Sequence, residues 1–256
     1  MGVNLKEIIA VINRKGGVGK TTTCDAIGAG LTNKGYKVLY IDLDPQGNLS
    51  SSLNVNTDGL GTIDILTKDA NCNDTIQKTN RGDILPSSPR LSGADRIISS
   101  VGKEYRLKEE LDKIKDNYDY IIIDTPPSLG ILTINALTAS SNVMIPAGAN
   151  IYSLEGIGQL IDTIQTVKKY CNPDLKINGI LLTRYNNRQV LSREVAEMLG
   201  QTAKEIGTKL YKTYIRPNVA LEEAQTSKQD IFSYDPGCNA SKDYQALIEE
   251  ILNDQK

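Results

Sequence analysis

Residues 9–23 read Ile-Ala-Val-Ile-Asn-Arg-Lys-Gly-Gly-Val-Gly-Lys-Thr-Thr-Thr, a glycine-rich turn closing on Gly-Lys-Thr. Residues of this kind bind phosphate. Gly16, Gly17 and Gly19 let backbone N–H groups point inward with no Cβ in the way. A helix beginning at Lys20 adds its positive N-terminal end. Val18 and Thr22 complete the cradle, while Lys20 is placed to reach the β- and γ-phosphates and the Thr21 hydroxyl to ligate Mg²⁺. The usual spacing, Gly-x-x-x-x-Gly-Lys-[Ser/Thr], is not met. Five residues before Gly19 stands Arg14, and the next residue is a second lysine, Lys15.

Two acidic stretches fit around such a site. Lys37–Ile41 runs into Asp42-Leu-Asp44-Pro-Gln-Gly-Asn48, and Tyr118–Ile123 runs into Asp124-Thr-Pro-Pro-Ser128. Each apolar run delivers an aspartate just past the carboxyl end of a strand, where ligands sit in open α/β sheets. Asp124 has the position of a Walker-B acid, which holds a Mg²⁺-bound water. Either aspartate alone could be a cap or turn residue. Beside a phosphate loop they make a site.

The elements that must position these groups alternate along the whole chain. Strands are expected at Ile8–Asn13, Lys37–Ile41, Ile84–Pro86, Tyr118–Asp124, Asn142–Ile145, Ile177–Thr183 and Leu210–Ile215. Runs such as Ile121-Ile-Ile123 are apolar on successive residues, as in strands covered on both faces. Helices are expected at Lys20–Thr32, Leu91–Ser99, Arg106–Lys115, Gly130–Ala139, Leu154–Lys169, Ser192–Lys204, Asn218–Ser227 and Ala240–Leu252. The pattern predicts an α/β fold: a single-domain, three-layer sandwich over residues 1–256, with a mostly parallel twisted sheet and helices on both faces, as in P-loop NTPases. The first strand begins by residue 8, so no separate DNA-reading domain is expected before it.

Composition removes several chemistries. The chain has no histidine, which excludes His-based triads and HExxH zinc sites. Cys24, Cys72, Cys171 and Cys238 form no CxxC pair and read as reduced thiols of a cytoplasmic protein. Neither a signal peptide nor an apolar run of about 18 residues is found. The net charge is −2, so the molecule as a whole does not attract polyanions. Residues 165–228, however, carry 11 Lys/Arg against 6 Asp/Glu, leaving 18 against 25 elsewhere.

Lys15-Gly-Gly-Val-Gly-Lys-Thr-Thr22, Asp42-Leu-Asp-Pro-Gln-Gly-Asn48 and Ile123-Asp-Thr-Pro-Pro-Ser128 resemble the deviant Walker motifs of the ParA/Soj partition ATPases, within the ParA/MinD group. The resemblance continues through Asn135-Ala-Leu-Thr138, Ile145-Pro-Ala147, Leu154-Glu-Gly156, Asn218-Val219, Leu221-Glu-Glu-Ala224 and Tyr234-Asp-Pro236, and so covers nearly the whole chain. It implies an ATP- and Mg²⁺-dependent, slowly hydrolysing ATPase. It also implies a role for the extra cation: Lys15 would cross a dimer interface to the phosphates of the partner's ATP. Charge from across the interface would offset several negative charges brought together in a poorly hydrated space. Lys15, Lys20 and Asp44 are then the catalytic set, Asp44 positioning the attacking water, with Thr21, Asp42 and Asp124 supporting Mg²⁺. No guanine signature Asn-Lys-x-Asp is present, so adenine is expected. Pro217 and Asn218 are the base-side candidates, although Ile215-Arg-Pro-Asn218 reverses the family's usual Pro-Arg-Asn order.

The same resemblance implies sequence-independent DNA binding by an ATP-dependent homodimer, and release prompted by a ParB-like centromere-binding protein. Arg184, Arg188, Arg193 and Arg216 are the DNA-contact candidates, with Lys204 and Lys212 nearby; the family commonly has an arginine where this chain has Ala220. Phosphate contacts of this kind add, and dimerisation doubles them. The implied location is the cytoplasm, on the nucleoid when ATP is bound. Other readings are a MinD-like membrane-positioning ATPase, an ATP-dependent regulatory adaptor and a nitrogenase-reductase-like electron carrier. The first needs a basic amphipathic C-terminal helix, and Ile248-Glu-Glu-Ile-Leu-Asn-Asp-Gln-Lys256 is acidic between its apolar positions. The last needs cysteines paired around an iron–sulfur cluster.

Overall fold

A computed structural model describes residues 7–150 and 152–254. Its centre is a seven-stranded sheet of β1 (Glu7–Val11), β2 (Val38–Asp42), β3 (Gln77–Thr79), β4 (Gly82–Leu85), β5 (Tyr120–Asp124), β6 (Asn142–Gly148) and β7 (Lys176–Thr183), in the order β3-β4-β2-β5-β1-β6-β7. Every pairing is parallel except the β3–β4 hairpin.

Alternate residues of each central strand enter opposite cores, as the two-residue strand period requires. Ile9, Val11, Tyr40 and Ile122 pack toward the helices Lys20–Asn33, Ala220–Thr226 and Asn239–Asn253. Ala10, Leu39, Ile41, Ile121 and Ile123 face the layer that includes Thr62–Thr67, Arg106–Ile114 and Ile131–Ala139. Ile12, Val143, Ile145 and Ile180 continue that layer against Tyr152–Tyr170 and Val190–Glu205. The three expected layers are all present.

The helix after the glycine turn, Lys20–Asn33, is buried along most of its length. Close packing there depends on absent side chains. A Cβ on Gly28 would lie 2.2 Å from the Tyr40 ring, and one on Gly30 would lie 2.1 Å from Ile248 Cδ1. The last helix covers its apolar face with this contact: Tyr244, Leu247, Ile248 and Ile251 are buried.

Three local expectations differ from the structure. Leu210–Ile215 runs beside β7 but is not a strand; only Leu210 bridges Ile180. The Lys212 and Thr213 N–H groups turn away and donate to the Glu250 carboxylate at 2.9 Å each, which removes them from the sheet ladder. Leu91–Ser99 is split into a 3₁₀ turn, Pro89–Gly93, and a single helical turn, Ala94–Ile97, with Gly93 at the break. The hairpin partner β3 had no apolar signature, since Gln77-Lys-Thr79 is polar throughout.

Candidate functional site: a phosphate cleft at the carboxyl ends of three strands

Strand register creates the site. Val11 and Asp42 both pair with Asp124, because β5 lies between β1 and β2. The loop after β1 and the two strand-terminal aspartates therefore meet at one edge of the sheet. Gly17 and Gly19 take positive φ of 72° and 84°, the left-handed backbone that turns the loop's amides inward. A Cβ built at Gly16 or Gly17 meets nothing within 4 Å, so the concave side of the loop is open.

Around that loop lies a cleft of about 580 Å³ lined by Gly16, Gly17, Gly19, Lys20, Thr21, Thr22 and Asp44, with Gln46, Asn48, Pro127 and Arg184 among its other walls. Lys20 is only 7% exposed. Burial lowers its pKa, opposed by the negative charges of Asp124 and Asp44. The Thr21 hydroxyl donates to Asp124 Oδ2 at 2.6 Å. Asp124 is completely buried, and its Oδ1 has no hydrogen-bond partner among the described residues. Burial first, and the neighbouring Asp42 second, push the Asp124 carboxyl up to about 8.

Asp42 is built differently. It too is completely buried, but its oxygens are committed: Oδ2 accepts from Ser50 N at 2.8 Å and Ser50 Oγ at 2.7 Å, and Oδ1 from Asp44 N at 3.1 Å. Burial nonetheless raises its carboxyl above the ordinary range. Asp44, 8% exposed, accepts from Gln46 N through Oδ1 at 3.0 Å, and its carbonyl takes the Ser87 hydroxyl. Asp42 thus holds the loop, whereas Asp44 lines the cleft.

Among the described residues there is no cluster of three or more His, Cys, Asp or Glu side chains fit to hold a metal ion unaided. The oxygen set of Thr21, Asp124 and Asp42 suits a hard cation that keeps most of its waters and shares phosphate oxygens, which is the manner of Mg²⁺. The unpartnered Asp124 Oδ1 gives such a water-clad ion an acceptor to bind.

Lys15 stands at the rim. Its N–H donates to Asn13 Oδ1 at 2.9 Å, and its Nζ to Asn150 Oδ1 at 2.7 Å. Asn13 is anchored in turn by donating to the Pro146 carbonyl at 2.7 Å.

A second lobe of about 410 Å³ shares Gly19, Thr22 and Arg184 with the first and is lined further by Val18, Ile215, Pro217, Asn218, Leu221 and Tyr244. Its walls mix apolar side chains with Thr183, Arg216, Glu222 and Gln225 beside the phosphate loop, a setting that can take a nucleobase. Pro217 and Asn218 both fall there. The Asn218 side-chain Oδ1 accepts from Ala220 N at 2.9 Å, just ahead of the helix Ala220–Thr226.

The four arginines are placed in two ways: Arg184 and Arg216 both line the second lobe, and Arg188 and Arg193 do not. Arg184 lines both lobes and lies 3.9 Å from Glu222. Arg216 is clamped by Asp243, Nε to Oδ2 at 2.9 Å and Nη2 to Oδ1 at 2.6 Å, so its charge is neutralised locally. Arg188 and Arg193 are exposed at the start of Val190–Glu205, beside exposed Val190 and Leu191. Arg193 Nη1 donates to the Asn187 carbonyl at 3.0 Å.

Several residues at the site gave no sequence signal. Gln225 donates to the Thr22 hydroxyl at 3.1 Å from a helix 203 residues away in the chain. Ser50 and Ser87 fix Asp42 and the Asp44 loop from within ordinary polar runs. Asn13 lies in the quoted stretch, and its place at the end of a buried strand is the clue that it would be used.

Comparison with known proteins bears on this geometry. A family model described as an AAA domain matches residues 6–177. The sporulation initiation inhibitor protein Soj of Bacillus subtilis is 44% identical over 250 residues, covering 96% of this chain and 98% of that protein. The chromosome partitioning protein ParA of Caulobacter vibrioides is 37% identical over 263 residues, covering 100% and 97%. The chain belongs to the ParA/Soj family. Among solved structures, a putative plasmid partition protein from Borrelia burgdorferi bound to AMPPNP superposes with a TM-score of 0.83 at 26% identity, covering 97% of this chain and 99% of that one. Cobyrinic acid a,c-diamide synthase from Mycobacterium smegmatis, with an ATP analogue and magnesium bound, does so with a TM-score of 0.80 at 34% identity, covering 97% and 95%.

Proposed function

We propose that this member of the ParA/Soj family is an ATP-dependent DNA-partition ATPase. Its ATP-bound form pairs into a homodimer that holds DNA without sequence preference, and hydrolysis stimulated by a ParB-like centromere-binding protein releases it. The observation that carries the nucleotide chemistry is the placement of Lys20 and Thr21 in the cleft of the glycine loop, with the buried Asp124 behind them accepting the Thr21 hydroxyl. The names of the Soj and ParA relatives, a "Chromosome-partitioning ATPase Soj" of Treponema pallidum among them, carry the partition role.

The residues divide the work. The amides of Gly16, Val18, Gly19, Lys20 and Thr21 cradle the phosphates, and the Lys20 ammonium neutralises charge that grows on the leaving oxygen. Thr21 and Asp124, with Asp42 behind them, hold Mg²⁺, which when bound offsets the β- and γ-phosphate charge. Asp44 orients the attacking water, so turnover is slow and depends on positioning. Lys15, whose ammonium donates to Asn150 in the single chain, turns to meet the partner's phosphates. Arg188 and Arg193 supply additive, salt-sensitive contacts to DNA.

The membrane-positioning alternative lacks support on one count: the apolar face of Asn239–Asn253 is already buried against Lys20–Asn33. For the electron-carrier reading, Cys24 and Cys72 are both buried within the fold and are not placed to reach across an interface.

DNA co-sedimentation without nucleotide, with ADP, with ATP and with a slowly hydrolysed ATP analogue tests the proposal. Retention is expected with ATP and the analogue alone. Equal retention in all four conditions would contradict a nucleotide-gated switch.

A further inference from the structure

The short helix that follows the Asp44 loop is held at its far end by a buried ion pair that belongs to none of the phosphate motifs. Arg81, in the turn between β3 and β4, is 8% exposed. Its Nη1 donates to Asp25 Oδ1 at 2.8 Å, and its Nη2 donates to the Ser52 carbonyl. The turn itself is fixed: the Arg81 carbonyl accepts from Thr32 Oγ1 at 2.8 Å, and its N–H donates to Thr79 Oγ1 at 3.1 Å.

The partners explain why this matters. Asp25 lies one turn beyond Thr21 on Lys20–Asn33, the helix that begins in the phosphate loop. Ser52 ends the short helix Asn48–Ser52, which follows directly from Asp44-Pro-Gln-Gly and contributes Asn48, Ser51 and Ser52 to the phosphate cleft. That helix is therefore held at Ser50, by Asp42 and the Ser87 N–H, and at its end by Arg81 on the Ser52 carbonyl. A five-residue helix has too few internal bonds to hold its own orientation.

A buried ion pair is a poor source of stability, because desolvating both charges offsets their attraction. What it supplies here is geometry. A guanidinium donates in two fixed directions and can join a carboxylate to a helix-terminal carbonyl; an ammonium on a flexible stem does not reproduce that fork.

We propose that Arg81 is a positioning residue for ATP hydrolysis: it locks Asn48–Ser52 to the phosphate-loop helix and so sets Asp44 against the γ-phosphate. This rests on the role given to Asp44 above. It predicts a specific split between binding and turnover, since the phosphate cradle and the base lobe do not include Arg81.

The test uses the full chain and two variants. Arg81→Lys keeps a cation for Asp25 but loses the second arm to Ser52. Asp25→Asn/Arg81→Gln removes both charges together, so neither is left buried alone. Each is compared with wild type for thermal midpoint, affinity for a fluorescent ATP analogue, and kcat and KM for ATP with Mg²⁺. In whichever variants fold, kcat is expected to fall on the order of tenfold, with KM and analogue affinity within about twofold, as for a misaligned water rather than a damaged pocket. A purely structural role predicts a lower midpoint with unchanged kcat per folded molecule, and that result in the double variant overturns the proposal. Asp44→Ala, measured alongside, separates the two levels. Lost hydrolysis there with normal kcat in the Arg81 variants overturns this inference alone. Normal hydrolysis in Asp44→Ala overturns the reading beneath it.

Discussion

Two regions of this molecule are assigned the same chemical group, phosphate, and they are built in opposite ways. At the carboxyl ends of β1, β2 and β5 the aspartates are buried, converge at neighbouring strand ends and are held in fixed directions: Asp124 by the Thr21 hydroxyl, Asp42 by the Ser50 hydroxyl, Asp44 by the Gln46 backbone N–H. At the start of Val190–Glu205 the candidate groups, Arg188 and Arg193, stand in water on one helix turn and the loop before it. The first arrangement recognises one polyphosphate in one pose, because each contact is worth far more in a desolvated site. The second can only sum weak, screened attractions over many equivalent phosphates. A single substitution should therefore abolish function in the first region and merely weaken it in the second.

The largest expected effect is at Lys20. Lys20→Ala removes the cation facing Asp124 and Asp44 and should lower ATP turnover by two to three orders of magnitude, roughly what one oriented donor contributes to a developing charge. A fall of less than about tenfold would break the contrast between the two regions. Next is Asp44→Ala, which, if Asp44 positions the water as proposed, should bind ATP near normally yet hydrolyse on the order of a hundredfold more slowly. Rapid-quench turnover beside equilibrium binding checks that split.

A smaller effect concerns pH. In the nucleotide-free protein burial pushes the neighbouring Asp124 and Asp42 carboxyls up, to about 8 and about 6, Asp42's charge adding to the rise at Asp124, both above the unfolded value of about 4. Folding is favoured by such groups fully below the unfolded value, and that contribution is lost as pH rises through the folded ones. Apo stability should decline from pH 6 to pH 8 by up to about 1.4 kcal/mol per pH unit. Asp124→Asn should flatten the decline. Mg²⁺–nucleotide affinity should rise over the same window, since ligation needs the ionised carboxylates. Thermal unfolding across the pH series measures both trends.

The smallest effect belongs to the basic surface. Arg193→Ala should weaken DNA retention only about two- to fivefold and reduce the slope of log affinity against log salt by about one for each phosphate it no longer neutralises. Arg216→Ala should act differently, through lower stability, because its partner Asp243 is left half of a broken pair. If Arg193 behaved like Lys20, the comparison between the regions would fail.

That contrast also governs what could be read in the sequence. The cleft was legible because glycines, a lysine and strand-terminal aspartates are required together in chain order, and the α/β alternation placed them at one sheet edge. Illegible were the supports that arrive from distant segments: Gln225 on Thr22, Ser87 on Asp44 and Arg81 on Asp25, where local spacing carries no information. Leu210–Ile215 looked like a strand from its own residues; its amides were diverted by Glu250, 37 or more positions away. Arg216 looked like a free cation for the same reason, since Asp243 lies on a helix that only the fold brings beside it. Charge counting found the basic half of the chain but not which of its charges were already used.

Mass measurement in solution most directly tests the claim that a triphosphate shared between two copies is the switch. Light scattering coupled to gel filtration would compare ADP with ATP and Mg²⁺, in the Asp44→Ala background where turnover is blocked, with and without the added change Lys15→Ala. The account predicts a dimer with ATP, a monomer with ADP, and a monomer with either nucleotide once Lys15 is gone. An unchanged mass in ATP and ADP, or a dimer that persists without Lys15, would contradict it.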